Sequence, residues 1–305
     1  MNGITVVIPI FNEAPNLPCL IDAITSQTLK PDEVIFVDTG SSDNTDQVIS
    51  KYINLNDSLL MRHLKNPGGM PGGNRNVGIN ESKYEWIAFL DAGIIPTNKW
   101  LEELMRCAKQ EQSEAVFGKC SFTGTTALSN AICAISYGCT SHPVIPASIF
   151  KKNIFKKTGL FAEHLRAGED TLWLKTFDLI YESRESTLTN VAIYNSFPKS
   201  LDELIKKYYL YECSVISARV GLSKAILLII FFIIVITTLI LEIYISILLL
   251  LSYLLIRGII DPIRRSDSIL WWSKYPLSVI LAPICALIID LTIIYTRIKT
   301  AVIKK

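Results

Sequence analysis

Charge is scarce in this 305-residue chain: Asp, Glu, Lys and Arg make up 19% of it, against 50% apolar residues and a mean hydropathy of +0.35. A disordered chain has the opposite balance and is excluded. The shortage is local. From Ala225 to Ile256 the only charge is Glu242, and from Leu277 to Thr296 the only charge is Asp290. Apolar runs of this length read as membrane-embedded helices, which excludes a purely soluble protein. Cysteine is odd in number, 7, and scattered without a C-x-x-C pair. Neither a disulfide framework nor a zinc site is expected, and buried free thiols in a reducing compartment fit better. No basic segment precedes the first apolar run at Ile4, so no signal peptide is expected and the globular part reads as cytosolic. No G-x-G-x-x-G follows that run, which argues against a dinucleotide-dependent dehydrogenase. The Gly-rich stretch Asn66–Gly78 lacks the Gly-Lys-Ser/Thr of a phosphate-binding P-loop and reads as a flexible loop with one cation, Arg75.

The net charge of +2 hides a split: residues 225–305 hold 8 Lys/Arg against 4 Asp/Glu, and the first 224 hold 22 against 24. A slightly acidic globular part does not suit nucleic acid as a partner. The basic excess flanks the apolar runs at Lys224, Arg257, Arg264, Arg265, Lys274, Arg297, Lys299, Lys304 and Lys305. It reads as interfacial anchoring, as does Trp271-Trp272 beside Lys274. Asp290 is close enough to a helix end to reach the interface. One helix over 225–256 would put Glu242 near the bilayer centre, at a cost of about 2.5–3.5 kcal/mol. Two helices turning there avoid that cost, so segments near 225–241, 243–256 and 277–296 are expected.

Ahead of the membrane region, Ile4–Ile10 is a β-branched apolar run of the kind found in strands buried on both faces. A helix follows with Leu17, Leu20, Ile21 and Ile24 on one side. Val34–Val37 is a second strand ending at Asp38, and Ser41–Thr45 offers turn and cap chemistry. Leu59–Leu64 and Trp86–Leu90 are further strands, the latter ending at Asp91. Trp100–Gln110 reads as helix. Thr123–His142, rich in Ser, Thr, Gly and Ala, reads as a loop over the site. Ser200–Glu203 matches a capping box that opens an amphipathic helix with Leu201, Leu204, Ile205 and Tyr208 on one face. Alternating strands and helices predict an α/β, doubly wound fold, in which ligands bind beyond the carboxyl ends of the strands. Three strands end there in Asn12-Glu13, Asp38 and Asp91. His142 and His164 are lesser candidates.

Five stretches in series carry a resemblance: Val6–Glu13, Val37–Thr45, Asn74–Gly78, Phe89–Gly93 and Gly168–Asp170. Together they resemble family 2 glycosyltransferases of the GT-A fold, over roughly residues 3–175. The C-terminal runs resemble those of members that build bacterial cell-surface polysaccharides or glycolipids. The resemblance implies a Rossmann-like GT-A domain over 1–200, an amphipathic juxtamembrane helix over 201–224 and a membrane region over 225–305. It also implies residue roles. Pro9, Phe11, Asn12 and Glu13 would line the nucleotide pocket, and Asp38 would accept from the base, as from the N3–H of uracil. Arg75 would lie near the diphosphate. Asp91 matches the first acid of the D-x-D motif that holds a divalent cation, Mg²⁺ or Mn²⁺. Asp170 would be the general base, with Glu169 assisting it.

Two departures stand out. The motif reads Asp91-Ala92-Gly93 and lacks its second acid, although Mg²⁺ binds through one carboxylate plus waters and phosphate oxygens. The Q-x-x-R-W motif of processive members is absent, with only Tyr208, Tyr209, Tyr211 and Arg219 near its place, so transfer of single sugars is expected. The reading is an inverting transferase in the cytoplasmic membrane with a cytosolic catalytic domain. Its expected partners are a nucleotide-sugar, UDP-sugar favoured, and a lipid-linked or glycan acceptor. The alternative is a non-catalytic membrane subunit that keeps the fold. A nucleotidyltransferase lacks its basic Gly-rich motif here, and three apolar segments are too few for an inverted-repeat transporter.

Overall fold

The computed structural model describes residues 3–55, 58–217 and 222–303; Arg219, Lys304, Lys305 and the side chain of Lys224 lie outside the described residues. It divides into two units, one of residues 1–121 and 141–194 and one of residues 122–140 and 195–305.

In the first unit the β-branched run forms β1 (Ile4–Ile10), in which Val6, Val7 and Ile8 are fully buried. The second apolar run forms β2 (Glu33–Asp38), buried along its whole length. Burial on both faces is what a parallel central strand requires. β3 (Leu60–Lys65) and β4 (Trp86–Phe89) complete a parallel set ordered β3-β2-β1-β4. The register puts Ile10 beside Asp38 and Asp38 beside Lys65, so the carboxyl ends of three strands lie level. Helices α1 (Leu17–Thr25), α2 (Thr45–Leu55) and α3 (Pro71–Glu81) connect them. The expected apolar face of α1 is the buried one: Leu17, Leu20, Ile21 and Ile24.

The sheet then departs from a purely parallel plan. After β5 (Ile94–Pro96) and α4 (Trp100–Gln110) come β6 (Ala115–Phe122), α5 (Ala127–Ser136) and β7 (Ser141–Lys151). The chain continues through α6 (Ile154–Thr158), α7 (Glu169–Ile180) and β8 (Ser186–Tyr194). β7 pairs antiparallel with β4, β6 with β7, and β5 with β8, giving the order β3-β2-β1-β4-β7-β6-β8-β5. An aromatic core of Phe89, Phe117, Phe150, Phe155, Phe161 and Phe177 surrounds Trp173. Trp173 and Phe177, one helical turn apart, bury α7 in this core, with Trp173 at 5.3 Å from the Phe150 ring. That packing fixes the start of α7, where Glu169 and Asp170 sit.

The Gly-rich stretch is not the flexible loop expected. Pro71 opens α3 at its first turn, where a missing N–H costs nothing, and the glycines allow close approach. A Cβ on Gly78 would stand 2.2 Å from Val7 Cγ1, and one on Gly72 would stand 2.5 Å from the Ala162 carbonyl oxygen. Gly78→Ala is therefore expected to destabilise the fold by about 1–3 kcal/mol, the cost of overpacking. Denaturant unfolding checks this, and an unchanged midpoint would refute it.

The second unit is helical: α5, α8 (Leu201–Ser217), α9 (Leu222–Leu241), α10 (Ile243–Leu255), α11 (Asp261–Arg265) and α12 (Ser278–Ile303). Thr123–His142 is not a loop over the site. Its centre is α5, opened by a capping box in which Thr126 Oγ1 accepts from Ser129 N. Residues 129–135 of α5 are buried, and the small side chains that resembled a loop composition are its packing surface. The Ser200 cap is half realised: Ser200 Oγ accepts from Glu203 N, but Glu203 Oε2 accepts from Lys199 N. On α8, Leu204 is buried while Leu201 and Ile205 remain exposed.

The helix breaks at Glu242 as expected: α9 ends at Leu241, α10 starts at Ile243, and Glu242 between them is non-helical and exposed. α10 does not stop at 256. It runs on through a π-helical turn, Ile256–Ile260, into α11. Among the described residues, two helices are long and apolar enough to cross a membrane, Ile243–Arg265 and Ser278–Val302. α9 offers a shorter apolar stretch, Ala225–Leu241.

Asp290 and Arg257 are not interfacial anchors. Asp290 is fully buried and accepts from Tyr253 OH at 2.8 Å, Arg257 Nε at 2.9 Å and Arg257 Nη2 at 3.1 Å. Each charge supplies the other's partner, which is what allows both inside an apolar bundle. Trp271 is likewise buried, and its carbonyl accepts from Asn130 Nδ2. All seven cysteines are free thiols.

Candidate active site

Two turns at the carboxyl ends of β1 and β2 are tied together by side chains. Asn12 takes a left-handed conformation, φ 56°. Its N–H donates to Ser41 Oγ at 2.8 Å, and its Oδ1 accepts from Ser42 N at 2.8 Å. The Glu13 N–H donates to Thr45 Oγ1, and the Ala14 N–H donates to Asp43 Oδ2. Pro9 is the penultimate residue of β1, level with Val37, and Phe11 just past the strand is exposed. These are Asn, Ser and Asp doing turn chemistry, which leaves Phe11 presented outward.

Asp38 is fully buried at the end of β2. Its Oδ1 accepts from the N–H of Gly40 and Ser41 and from Ser41 Oγ at 2.7 Å. Its Oδ2 accepts from Lys65 Nζ at 2.8 Å, and the same ammonium pairs with Asp46. Burial raises the Asp38 pKa, but Lys65, Ser41 and Gly40 outweigh it and hold the carboxyl below its usual 3.8. A carboxyl lowered on folding contributes stability above pH 3.8 and loses that contribution as the pH falls through its folded value. Asp38→Asn should therefore flatten the acid side of a melting-temperature profile recorded from pH 2.5 to 6. A variant profile parallel to the wild type would contradict the assignment.

The third group centres on Arg75 in α3, which is 2% exposed. Its Nη1 donates to Glu169 Oε1 at 2.6 Å and its Nη2 to Asp91 Oδ1 at 2.8 Å, and the guanidinium lies over the Phe161 ring at 5.6 Å. Burial opposes the Arg75 charge, but the carboxylates of Asp91, Glu169 and Asp170 outweigh it and raise its pKa. Glu169 is pushed up from 4.5, first by burial and next by Asp170, against the pull of Arg75. Asp170 sits at the mouth of α7, with Oδ1 accepting from Thr171 N. Asp91 stays 42% exposed at its side chain. So α3, the end of β4 and the start of α7 hold three carboxylates around one fixed cation.

The donor set suits a hard divalent cation at Asp91. One of its oxygens is bound to Arg75 and the side chain is accessible, and Mg²⁺ takes few protein carboxylates when phosphate and water complete the shell. The Asp91 charge also helps raise the pKa of Glu13, after burial as the main cause, so a second carboxylate is within electrostatic reach. A separate trio, Asp38, Asp46 and His63, has ligand atoms within 4.8 Å of one another. It suits a metal less well, because Lys65 already pairs with both carboxylates there.

Lys65 and Asp46 were not singled out in the sequence, and Asn74 and Asn76 were quoted there without a role. Lys65 and Asp46 engage Asp38. Asn74 Nδ2 donates to the Val37 carbonyl. Asn76 forks onto Phe161, accepting from its N–H and donating to its carbonyl, both at 2.9 Å. Three consecutive polar residues, Asn74-Arg75-Asn76, amid glycines are the signal that could have given the two asparagines a role, and the structure buries all three. Of the histidines, His164 is exposed and His142 lies in β7 opposite Cys120.

Residues 5–131 match the model of Glycosyl transferase family 2. That stretch is similar to the transferase domain of this family. Among the curated proteins the chain resembles is glycosyltransferase AglE of Haloferax volcanii, 31% identical over 190 residues, which are 56% of this chain and 60% of AglE. The chain thus spans about 60% of that relative's length. Among solved structures, Staphylococcus aureus TarS 1–349 in complex with UDP-GlcNAc aligns with a TM-score of 0.51 at 18% identity, covering 73% of this chain and 69% of that one. The mannosyltransferase PcManGT from Pyrobaculum calidifontis, in complex with GDP-Man and Mn²⁺, aligns with a TM-score of 0.51 at 18% identity, covering 72% and 66%. At this identity the two likenesses speak for the GT-A-like fold.

Proposed function

We propose that the chain is an inverting glycosyltransferase that moves a sugar from a nucleotide-sugar to a lipid-linked or polysaccharide acceptor at the cytosolic face of the membrane. The observation that carries this reading is the Arg75 bridge. One buried guanidinium joins Asp91, on the diphosphate side, to Glu169, which adjoins Asp170. Donor-side and acceptor-side acids are thereby held in one rigid frame, as a two-substrate displacement requires.

In this reading Pro9, Phe11, Asn12 and Glu13 line the nucleotide pocket. Asp38 accepts from the base N–H once the exposed Lys65 ammonium swings off its Oδ2, and that acceptor geometry favours a UDP-sugar. Asp170 takes the proton of the acceptor hydroxyl, whose oxygen attacks the anomeric carbon in line. The bond to the nucleoside diphosphate breaks on the opposite side and the configuration inverts. Glu169, fixed by Arg75, orients Asp170. A Mg²⁺ or Mn²⁺ held by Asp91 supplies charge neutralisation to the leaving diphosphate. The apolar helices favour a membrane-borne acceptor, since enzyme and substrate then share one plane.

The test is release of nucleoside diphosphate from UDP- and GDP-sugars by the detergent-purified chain with membrane lipid extract as acceptor source. Sugar-dependent release supports the transferase. Its absence for every donor, in folded protein, would favour a non-catalytic subunit, the reading that the missing second acid at Gly93 supports.

A further inference from the structure

The second unit holds a cavity of about 220 Å³ that the transfer chemistry does not use. Its apolar wall comes from Ile135 of α5, Val215 of α8, Ala225 of α9, and Ile289 and Ile293 of α12. Its polar wall carries Arg257 and Arg265, with Tyr208 and Ser136 bonded to each other beside them. It is smaller than the roughly 300–1,000 Å³ of a site that swallows a whole drug-sized ligand. A headgroup fits it; a complete nucleotide-sugar does not.

The arginines on its polar wall share a carboxylate partner. Arg257 gives Nε and Nη2 to Asp290, and Nη1 to Asp261 Oδ2 at 3.1 Å. Arg265 gives Nη2 to the same Asp261 oxygen at 2.8 Å, and Nη1 to the Ser136 carbonyl at 3.3 Å. A single carboxylate oxygen therefore serves both guanidiniums. An arginine has five N–H donors. Three are used at Arg257 and two at Arg265 among the described residues, which leaves donors on both for a ligand. Glu212 also lines the cavity, but Arg297 neutralises it. The two cavity arginines thus have two carboxylates for partners, Asp290 and Asp261, and keep unused N–H donors beyond those bonds.

Paired guanidinium forks select a phosphate or carboxylate. The rest of the wall selects against a freely soluble anion. Arg257 and Arg265 belong to one candidate membrane span, Ile243–Arg265, and Ile289 and Ile293 to the other, Ser278–Val302. We propose that this cavity binds the phosphate group of a lipid, with Arg257 and Arg265 on the phosphate oxygens and the chain along the apolar wall. Its use as the carrier of the sugar acceptor rests on the function proposed above; the binding itself does not.

The test is titration calorimetry on the full chain in detergent with three probes: farnesyl phosphate, farnesol and inorganic phosphate. Two variants accompany it. Arg265→Gln removes a guanidinium whose side chain is 43% exposed, so folding is retained. Ala225→Leu fills the cavity from its apolar side; circular-dichroism melts confirm the fold of both. The expected result is saturable binding of farnesyl phosphate, weakened at least tenfold in each variant, with farnesol and inorganic phosphate at least tenfold weaker. Equal affinity in Arg265→Gln would overturn the proposal. Inorganic phosphate binding as tightly would make it a free-anion site, and farnesol binding as tightly would make it a chain-only site; either overturns it. UDP is titrated into the same samples. UDP binding without farnesyl phosphate binding defeats this inference alone, and the reverse defeats the donor reading alone.

Discussion

Asp170→Asn is expected to cut sugar transfer about 10²–10⁴-fold, the usual contribution of a positioned general base, while donor binding stays intact. The amide keeps the size of the carboxyl and can still accept from Thr171 N, so the start of α7 should not move. What it loses is the ability to take the acceptor proton. The split between turnover and binding separates this role from a structural one. Glu169→Gln should act differently. It weakens the bond to Arg75 and relieves the like charge beside Asp170, so a smaller fall in turnover with a shifted pH profile is expected. Transfer by Asp170→Asn at the wild-type rate would remove the residue from the mechanism.

Arg75→Met should have the largest effect on stability, about 3–5 kcal/mol, because it leaves a buried carboxylate without its partner. Arg75 and Glu169 have side chains only 3% and 7% exposed, so water does little to compensate. Asp91 is 42% exposed and adds little to that cost, since an exposed carboxylate is well solvated. Combining Arg75→Met with Glu169→Gln removes the stranded charge and should recover part of the loss. Arg75→Lys should fall between, keeping the charge but losing the fork that reaches two carboxylates at once. Thermal unfolding of the four proteins checks the order. A single variant, Arg75→Met, that melts with the wild type would show that the bridge holds nothing.

Much of the α/β frame was legible because its signals are local. The ITVVIPI run is a strand since β-branched apolar residues without alternation suit a sheet covered on both faces, and α1 announces its buried face by spacing. The break at Glu242 follows from the cost of one charge in a long apolar run. The misses share a different cause. α3 and α5 are built from Gly, Ser, Asn and Ala, whose role is to let backbones approach closely, and apolar periodicity does not register close approach. The antiparallel half of the sheet depends on pairings such as Trp86 with Lys151, which no local pattern specifies. The site shows the same limit. Asp38 and Asp91 were found as acids at strand ends and Arg75 and Glu169 through the family resemblance, but the Arg75–Glu169 pair spans 94 residues, which neither signal shows. Asp290 misled for the same reason, because its partner Arg257 lies 33 residues away.

The central claim is that the carboxyl ends of β1, β2 and β4 hold the nucleoside diphosphate of a sugar donor. The measurement that tests it most directly is a thermal-shift titration of the detergent-purified chain with UDP, GDP, dTDP and CMP, each with and without Mn²⁺ or Mg²⁺. A ligand at 100 times its Kd stabilises the native state by about 2.7 kcal/mol, a readable shift. The account predicts a selective response to a nucleoside diphosphate, UDP foremost, which is strengthened by the metal and lost in Asp91→Asn. A folded protein that responds to none of the four, with or without metal, would contradict it.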